Sequence, residues 1–517
     1  MIRRSIFALS ALGALAFLLA ASPSPSPSPS PTPTSTPVTR VSASPQAAPT
    51  RGMAAPTPSL SDSSPFGQIG KLERNRKTLP SQLEPFLKSS DPAIAARAAI
   101  AIGRLRNPAG VPLLIPMLNA DHPDEVRAAA AFALGVIASS DALPALRSAA
   151  LHAPPSVAGA AADSLGRIGG SSAVQTLGGL VSAPDPFVRG KAAIGLGQAG
   201  FASKPQISQP LKATTAKLLD SAFITERDPE VRWRMAWAIY RSYFDTNPGL
   251  LRTMLADQQE LVRLYAVKAV GRLKEKTFVT AVRLLAKDPS WRVRVEVSNV
   301  LPLFRDNTPV DVRPPAVPAD DQVEPKPVPS SEPAGDHPQV AIVTNKGVIV
   351  VELFPDAAPY HVDAFLHLVD VGFYNNTQLD RVIPDFVIQG GNPDAGKTTG
   401  SGGPGFNVPD EVNPIEQLTG MLSLGLDYKD SSPIFDSAGS QYYITQSPQL
   451  HLNEYFTTFG RVVKGLAVVY SIQKHDPNDT KTQPDMVSRM YRCEPVTPQT
   501  PEIEHELRTV EVRYNPR

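Results

Sequence analysis

Residues 381–391 read Arg381-Val-Ile-Pro-Asp-Phe-Val-Ile-Gln-Gly-Gly391, an apparent strand that closes on a pair of glycines. Upstream, Val340-Ala-Ile-Val-Thr and Gly347-Val-Ile-Val-Val-Glu-Leu read as two strands joined by the turn Asn345-Lys346-Gly347. A helix is expected from about Tyr360 to Val371. Downstream lie Gly439-Ser-Gln-Tyr-Tyr-Ile-Thr and Thr458-Phe-Gly-Arg-Val-Val-Lys-Gly.

In order, spacing and register, these segments resemble the cyclophilins, and the resemblance spans essentially all of 339–517. It implies a closed, mostly antiparallel eight-stranded barrel capped by two helices, with an active groove on its outer face, acting as a peptidyl-prolyl cis/trans isomerase. Rotation about an Xaa-Pro bond is slow because amide resonance sets a barrier of ~20 kcal/mol. A guanidinium facing the prolyl nitrogen can bond to its lone pair as the amide twists, which favours the transition state over the ground state. Arg381 matches this catalytic arginine. By the same resemblance Phe386 and Val387 seat the proline ring, and Gln389 holds the substrate backbone or the guanidinium. Gln441, Tyr443, Leu452 and Phe456 line the groove, with Gly425, Leu426 and His451. No nucleophile, proton transfer, metal or other cofactor is required.

Several positions depart from the family pattern. Leu379-Asp380 replaces Phe-His, Val387 a methionine, Tyr443 a phenylalanine, Gly425-Leu426 an Ala-Asn pair, His451 a tryptophan and Phe456 a histidine. These changes point to altered substrate preference, and loss of the tryptophan removes the side chain on which the family relies to contact cyclosporin.

Gly391-Asn-Pro-Asp-Ala-Gly-Lys397-Thr398 satisfies the phosphate-loop spacing. Such a loop needs its lysine to open a helix whose amides cradle the phosphates. Here Thr399-Gly-Ser-Gly-Gly-Pro-Gly405 follows, which no helix tolerates. His361 and His367 read as polar or partly buried helix residues, and no histidine pairs at metal-ligand spacing. The single cysteine, Cys493, excludes an intrachain disulfide and reads as a small apolar residue. With 50 basic and 49 acidic residues there is no global field of the kind nucleic-acid binders use.

The 517 residues exceed what one core accommodates. Upstream of the barrel, an apolar residue recurs at Ile94, Val126, Val157, Val188, Val231, Val262 and Val293, mostly 31 residues apart with one interval of 43. Alanine and leucine fall at helical spacing within each unit, and Pro-Asp or Asp-Pro starts the helix. Each unit is read as a helix pair. Four close on Gly103, Gly135, Gly166 and Gly197, and the long interval is assigned to a loop around Phe201 to Leu211. The pattern resembles short HEAT-like repeats over about 79–305 and implies a solenoid. Arg127, Arg189, Arg232, Arg263 and Arg294 follow the anchors, and are read as a ladder bonding acids such as Asp185 or Asp228. The solenoid's concave surface is expected to take a protein partner.

Arg3 and Arg4 precede an apolar run from Ile6 to Ala21, which reads as a cleaved signal peptide, residues 1–21, and therefore an exported protein, periplasmic or secreted. Left uncleaved, it would be a membrane anchor. Residues 22–64 are Ser/Pro-rich and read as a disordered tether, and 306–337 as a second Pro-rich linker before a domain at 338–517. The fold expected is thus an all-α HEAT-like solenoid followed by a cyclophilin-like closed β-barrel with two capping helices. Its expected partners are proline-containing polypeptides of exported clients, with no nucleic acid. The competing reading is a non-catalytic scaffold that binds proline peptides, which would have no reason to keep Arg381.

Overall fold

A computed structural model describes residues 63–200, 208–242, 247–333, 335–395, 403–429, 432–453, 455–479 and 481–498. The leader and most of the Ser/Pro-rich tether lie outside the described residues.

Among the described residues, eight helices form one layer of the solenoid: Pro65–Arg74, Pro92–Arg104, Asp124–Ile137, Pro155–Ile168, Pro186–Ala199, Pro229–Arg241, Glu260–Leu273 and Trp291–Val300, each packed on the next. A second layer includes Leu143–His152, Ser171–Leu180, Gln209–Thr225 and Pro248–Leu255. The Asp-Pro pairs start helices as expected. Proline at the first position needs no N–H, and the preceding aspartate caps the exposed amides: Asp91 accepts from Ala93, Asp185 from Phe187 and Val188, and Asp228 from Glu230 and Val231.

Three details differ from expectation. The array begins before residue 79, because Ser64, the last residue assigned to the tether, caps helix Pro65–Arg74. The long interval is not simply a loop: 201–207 lie outside the described residues, but Leu211 is already inside helix Gln209–Thr225. The arginine ladder exists, but its acids are others, since Asp185 and Asp228 are engaged as caps. Arg189 pairs with Glu226 at 2.6 Å, Arg232 with Asp257 at 2.6 Å and Arg263 with Asp288 at 2.7 Å, each bridging to the following repeat. Arg127 instead pairs with Asp124 of its own helix, and Arg294 donates to the carbonyls of Asp288, Pro289, Asp311 and Arg313. The recurring glycines allow the inner helices to touch backbone to backbone: a Cβ on Gly166 would stand 2.3 Å from the Gly195 Cα.

The C-terminal sheet contains β1 (Gln339–Thr344), β2 (Gly347–Leu353), β3 (Thr377–Gln378), β4 (Arg381–Ile383), β5 (Val387–Gly390), β6 (Met421–Leu424), β9 (Tyr442–Thr445), β10 (Thr458–Lys464) and β11 (Met486–Cys493); β7 (Tyr428–Lys429) and β8 (Ser432–Pro433) pair separately. The order is β3-β11-β1-β2-β10-β6-β9-β5-β4. Its two end strands, β3 and β4, are joined by only Leu379 and Asp380, so the sheet must roll up on itself. Among the described residues nine strands stand in this sheet where eight were expected, with the short β3 counted separately from β4. Helices Pro359–Asp370 and Leu466–Ser471 accompany it. Inside, Phe365 meets Tyr442 and Phe459 edge-on, at 6.1 and 5.4 Å between ring centroids.

The Pro-rich segment after 305 is not a free tether. Trp291 Nε1 donates to the Val312 carbonyl at 2.8 Å, Val328 N to Arg492 O at 2.8 Å and Glu494 N to Lys326 O at 2.9 Å. Lys326–Val328 thus extends the edge of β11 that β3 leaves open, and Pro327, which has no N–H, sits between the two bonded residues. Backbone carbonyls and a sheet edge order a segment whose composition has little to bury.

The barrel covers a face of the eight-helix inner layer of the solenoid. Phe354, Ala357, Ile415, Leu418, Met421 and Leu450 of the barrel belong to the same buried cluster as the solenoid core, and Val412 buries against Phe132 and Val136. Charges reinforce this contact. Glu416 of the barrel is buried between Lys191 and Arg234 of the solenoid, at 2.6 and 2.8 Å. Tyr265 Oη donates to Pro448 O at 3.1 Å, and Arg292 Nε to Gln446 O at 3.1 Å. The inner-layer face therefore holds this chain's own barrel, because it offers apolar area and matched charge that a free surface would leave exposed.

Candidate active site

Strands β4 and β5 form a tight hairpin in which Arg381 stands opposite Gln389, and β9 follows with Tyr443 opposite Gln389. Alternation along the strands places Arg381, Gln389 and Tyr443 on one outer face, while Tyr442 and Ile444 point into the core. Gln441 directly precedes β9. Arg381 Nη1 donates to Gln389 Oε1 at 3.1 Å, and Gln389 Nε2 donates to Gln441 Oε1 at 3.0 Å. This continuous polar row fixes the direction of both glutamine amides and aims the guanidinium. Burial pulls the Arg381 pKa down, while Tyr428, Asp380 and Asp476 act in the opposite sense.

Beside the row lies an apolar cluster. Val387, Tyr443, Leu452 and Phe456 are buried together, with Phe386, Leu426 and Tyr455 packed against them. Phe456 meets Tyr443 edge-on at 5.6 Å. The Phe386 ring lies 6.0 Å from the Arg381 guanidinium carbon and stacks on His451 at 6.0 Å with 15° between the planes. Burial, with Arg241 and Lys268 adding to it, pushes the His451 pKa well below its ordinary value, so this imidazole is neutral. Gly425 N donates to Gln441 O at 2.7 Å, and a Cβ there would meet nothing closer than 3.6 Å. Together with Leu426, Gly425 forms the small side of the groove.

Every site residue expected from the sequence is thus gathered in one place: Arg381, Phe386, Val387, Gln389, Gly425, Leu426, Gln441, Tyr443, His451, Leu452 and Phe456. The Leu379-Asp380 departure faces inward. Leu379 is buried, Asp380 Oδ2 accepts from Asn392 at 3.2 Å, and the Asp380 carbonyl lies 2.6 Å from His475 Nδ1. Gly391–Ala395 forms no helix; Lys397 and Thr398 lie outside the described residues.

His361, expected to be a polar or partly buried helix residue, is fully enclosed, with Nδ1 2.9 Å from Glu411 Oε2. A single helix cannot reveal a carboxylate fifty residues away. Sequence reasoning also missed what holds the groove's rims. Asp436 N donates to Asp410 Oδ2, Asp436 pairs with Arg76 of the solenoid at 2.6 Å, and neighbouring Phe435 lies under the Arg106 guanidinium at 3.8 Å. On the other rim Asp385 pairs with Lys268 of the solenoid at 2.7 Å. The one available signal was Asp385 itself, an acid inside an otherwise apolar hairpin.

Residues 339–494 match the family model described as cyclophilin type peptidyl-prolyl cis-trans isomerase/CLD, and residues 80–158 and 149–239 match HEAT repeats. The chain is 38% identical over 140 residues to a peptidyl-prolyl cis-trans isomerase of Synechococcus elongatus, covering 27% of this chain and 90% of that protein. It is 41% identical over 130 residues to peptidyl-prolyl cis-trans isomerase B of Bacillus subtilis, covering 25% and 85% respectively. Among solved structures, a Cryptosporidium parvum cyclophilin-type isomerase crystallised in the presence of the dipeptide ala-pro is 30% identical, with a TM-score of 0.27, covering 30% of this chain and 99% of that one.

Proposed function

The chain belongs, through residues 339–494, to the cyclophilin-type peptidyl-prolyl cis-trans isomerases, and from that premise we propose that the Arg381 groove isomerises Xaa-Pro bonds of exported protein clients. The observation that carries the reading is the polar row Arg381–Gln389–Gln441 set alongside the apolar seat of Val387, Tyr443, Leu452 and Phe456.

A proline ring in the seat places its nitrogen toward the guanidinium. Gln389 accepts from Nη1 and so keeps the planar donor fixed before substrate arrives. As the amide twists, its nitrogen becomes pyramidal and gains a lone pair to which Arg381 donates. That bond is absent in the planar ground state, so it lowers the barrier without tightening substrate binding equally. The seat excludes water, which strengthens the interaction. Neutral His451 on Phe386 fits a groove with no proton to transfer.

Export rests on Arg3, Arg4 and the apolar run from Ile6 to Ala21. With the inner face of the solenoid engaged by the barrel, a further protein partner would have to use its outer layer. Exchange NMR on an Ala-Xaa-Pro peptide with the full chain tests the activity. Acceleration of cis/trans exchange is expected; binding without acceleration would favour the scaffold.

A further inference from the structure

We propose that Lys268, on solenoid helix Glu260–Leu273, is a positioning residue for the isomerase groove, acting through Asp385 on the turn that carries Phe386. The inference rests on the isomerase reading above.

The turn between β4 and β5 consists of Pro384, Asp385 and Phe386, and Asp385 adopts a left-handed backbone with φ of 61°. Aspartate tolerates this region better than most residues, but still at a cost. Its backbone is pinned from within the barrel: Asp385 N donates to Gln446 Oε1 at 2.9 Å, and Ser447 Oγ and Gln449 Nε2 donate to Asp385 O at 2.6 and 3.1 Å. The buried side chain leaves the barrel and meets the Lys268 ammonium at 2.7 Å. A buried carboxylate in a turn needs a cation, and the only basic group paired with it among the described residues comes from the solenoid.

Phe386 is the next residue. It stacks on His451 and flanks the Arg381 guanidinium, so a small rotation at Asp385 displaces the ring that borders the proline seat. Glu296 also faces Lys268, while Tyr265 lies with its ring centroid 5.7 Å from the ammonium. The lysine therefore sits in a fixed solenoid pocket. Its link to Asp385 transmits that fixed position to the groove.

The test compares the full chain with Lys268→Met, Lys268→Arg and Arg189→Ala, each at a temperature where circular dichroism shows it folded. Arg189 loses an ion pair within the solenoid but touches neither the barrel nor the groove, so it controls for general loosening. Lys268→Met is expected to raise KM for a proline peptide and lower kcat/KM about tenfold, with Lys268→Arg within about twofold of the parent and Arg189→Ala unchanged. The Phe386 ring resonances, read without peptide, are expected to shift in Lys268→Met alone. Unshifted resonances would overturn the inference whether or not the parent is active. So would parental kcat/KM in Lys268→Met, or an equal loss in Arg189→Ala. A parent without activity but with shifted resonances would overturn the isomerase reading and leave the mechanical link standing.

Discussion

Arg104 of the solenoid donates through Nε to the carbonyl of Val412 in the barrel, 2.9 Å away. Its Nη2 reaches the carbonyls of Ala357 and Glu411, both at 2.9 Å, and its Nη1 pairs with Glu73 at 3.0 Å. One buried guanidinium thus satisfies three barrel carbonyls and one solenoid carboxylate. The two parts of the chain share a polar joint as well as an apolar core.

Replacing Arg104 with alanine leaves Glu73 with one fewer cation and the Ala357 and Val412 carbonyls without this donor, while the Glu411 carbonyl keeps only its bond from Asn413 Nδ2. A loss of about 3 kcal/mol is expected. Calorimetry should resolve barrel and solenoid into separate transitions in the variant, against one in the parent.

Glu73 gives this joint a pH dependence. Its burial opposes ionisation, but Arg97 and Arg104 more than offset this and hold its pKa at about 2, below the ordinary carboxylate value of 4.5. A carboxylate whose pKa is lower folded than unfolded contributes stability that is full above about pH 4.5 and is lost as pH falls toward 2. Glu73→Gln should therefore lower the melting temperature at pH 7, and the gap from the parent should narrow between pH 4.5 and 2.

Two glycine substitutions should behave oppositely. Gly166→Ala sets a methyl against the Gly195 Cα and should cost about 1–3 kcal/mol by forcing neighbouring helices apart. At Gly425 a Cβ would meet only ordinary contacts, so Gly425→Ala should melt like the parent while changing the peptide preference of the narrowed groove. Chemical denaturation and a panel of Xaa-Pro peptides distinguish the two.

The β4–β5 hairpin and the groove were legible in the sequence because their logic is local or nearly so. Arg381 and Gln389 stand eight residues apart on paired strands, and Val387 and Tyr443 share their face by alternation, whereas Leu452 and Phe456 come through the resemblance to the cyclophilins. The docking was not legible, and two helices show why. Arg232 and Arg234 look alike in sequence, yet they lie on different sides of one helix: Arg232 joins the inter-repeat ladder through Asp257, while Arg234 reaches Glu416 in the barrel. Arg294 and Arg292 divide in the same way, the latter meeting Gln446 O and Tyr470. Nothing in a repeat pattern says that one side will meet another domain. The segment after 305 misled for a related reason, since proline content measures how little can be buried and not which carbonyls a neighbour will use.

The most direct measurement compares exchange rates of an Ala-Xaa-Pro peptide with the full chain and with Arg381→Ala. Losing a donor that acts only on the twisted amide should reduce kcat/KM about a hundredfold, roughly 2.7 kcal/mol of barrier, with little change in melting temperature. Equal acceleration by both proteins would contradict the role given to Arg381.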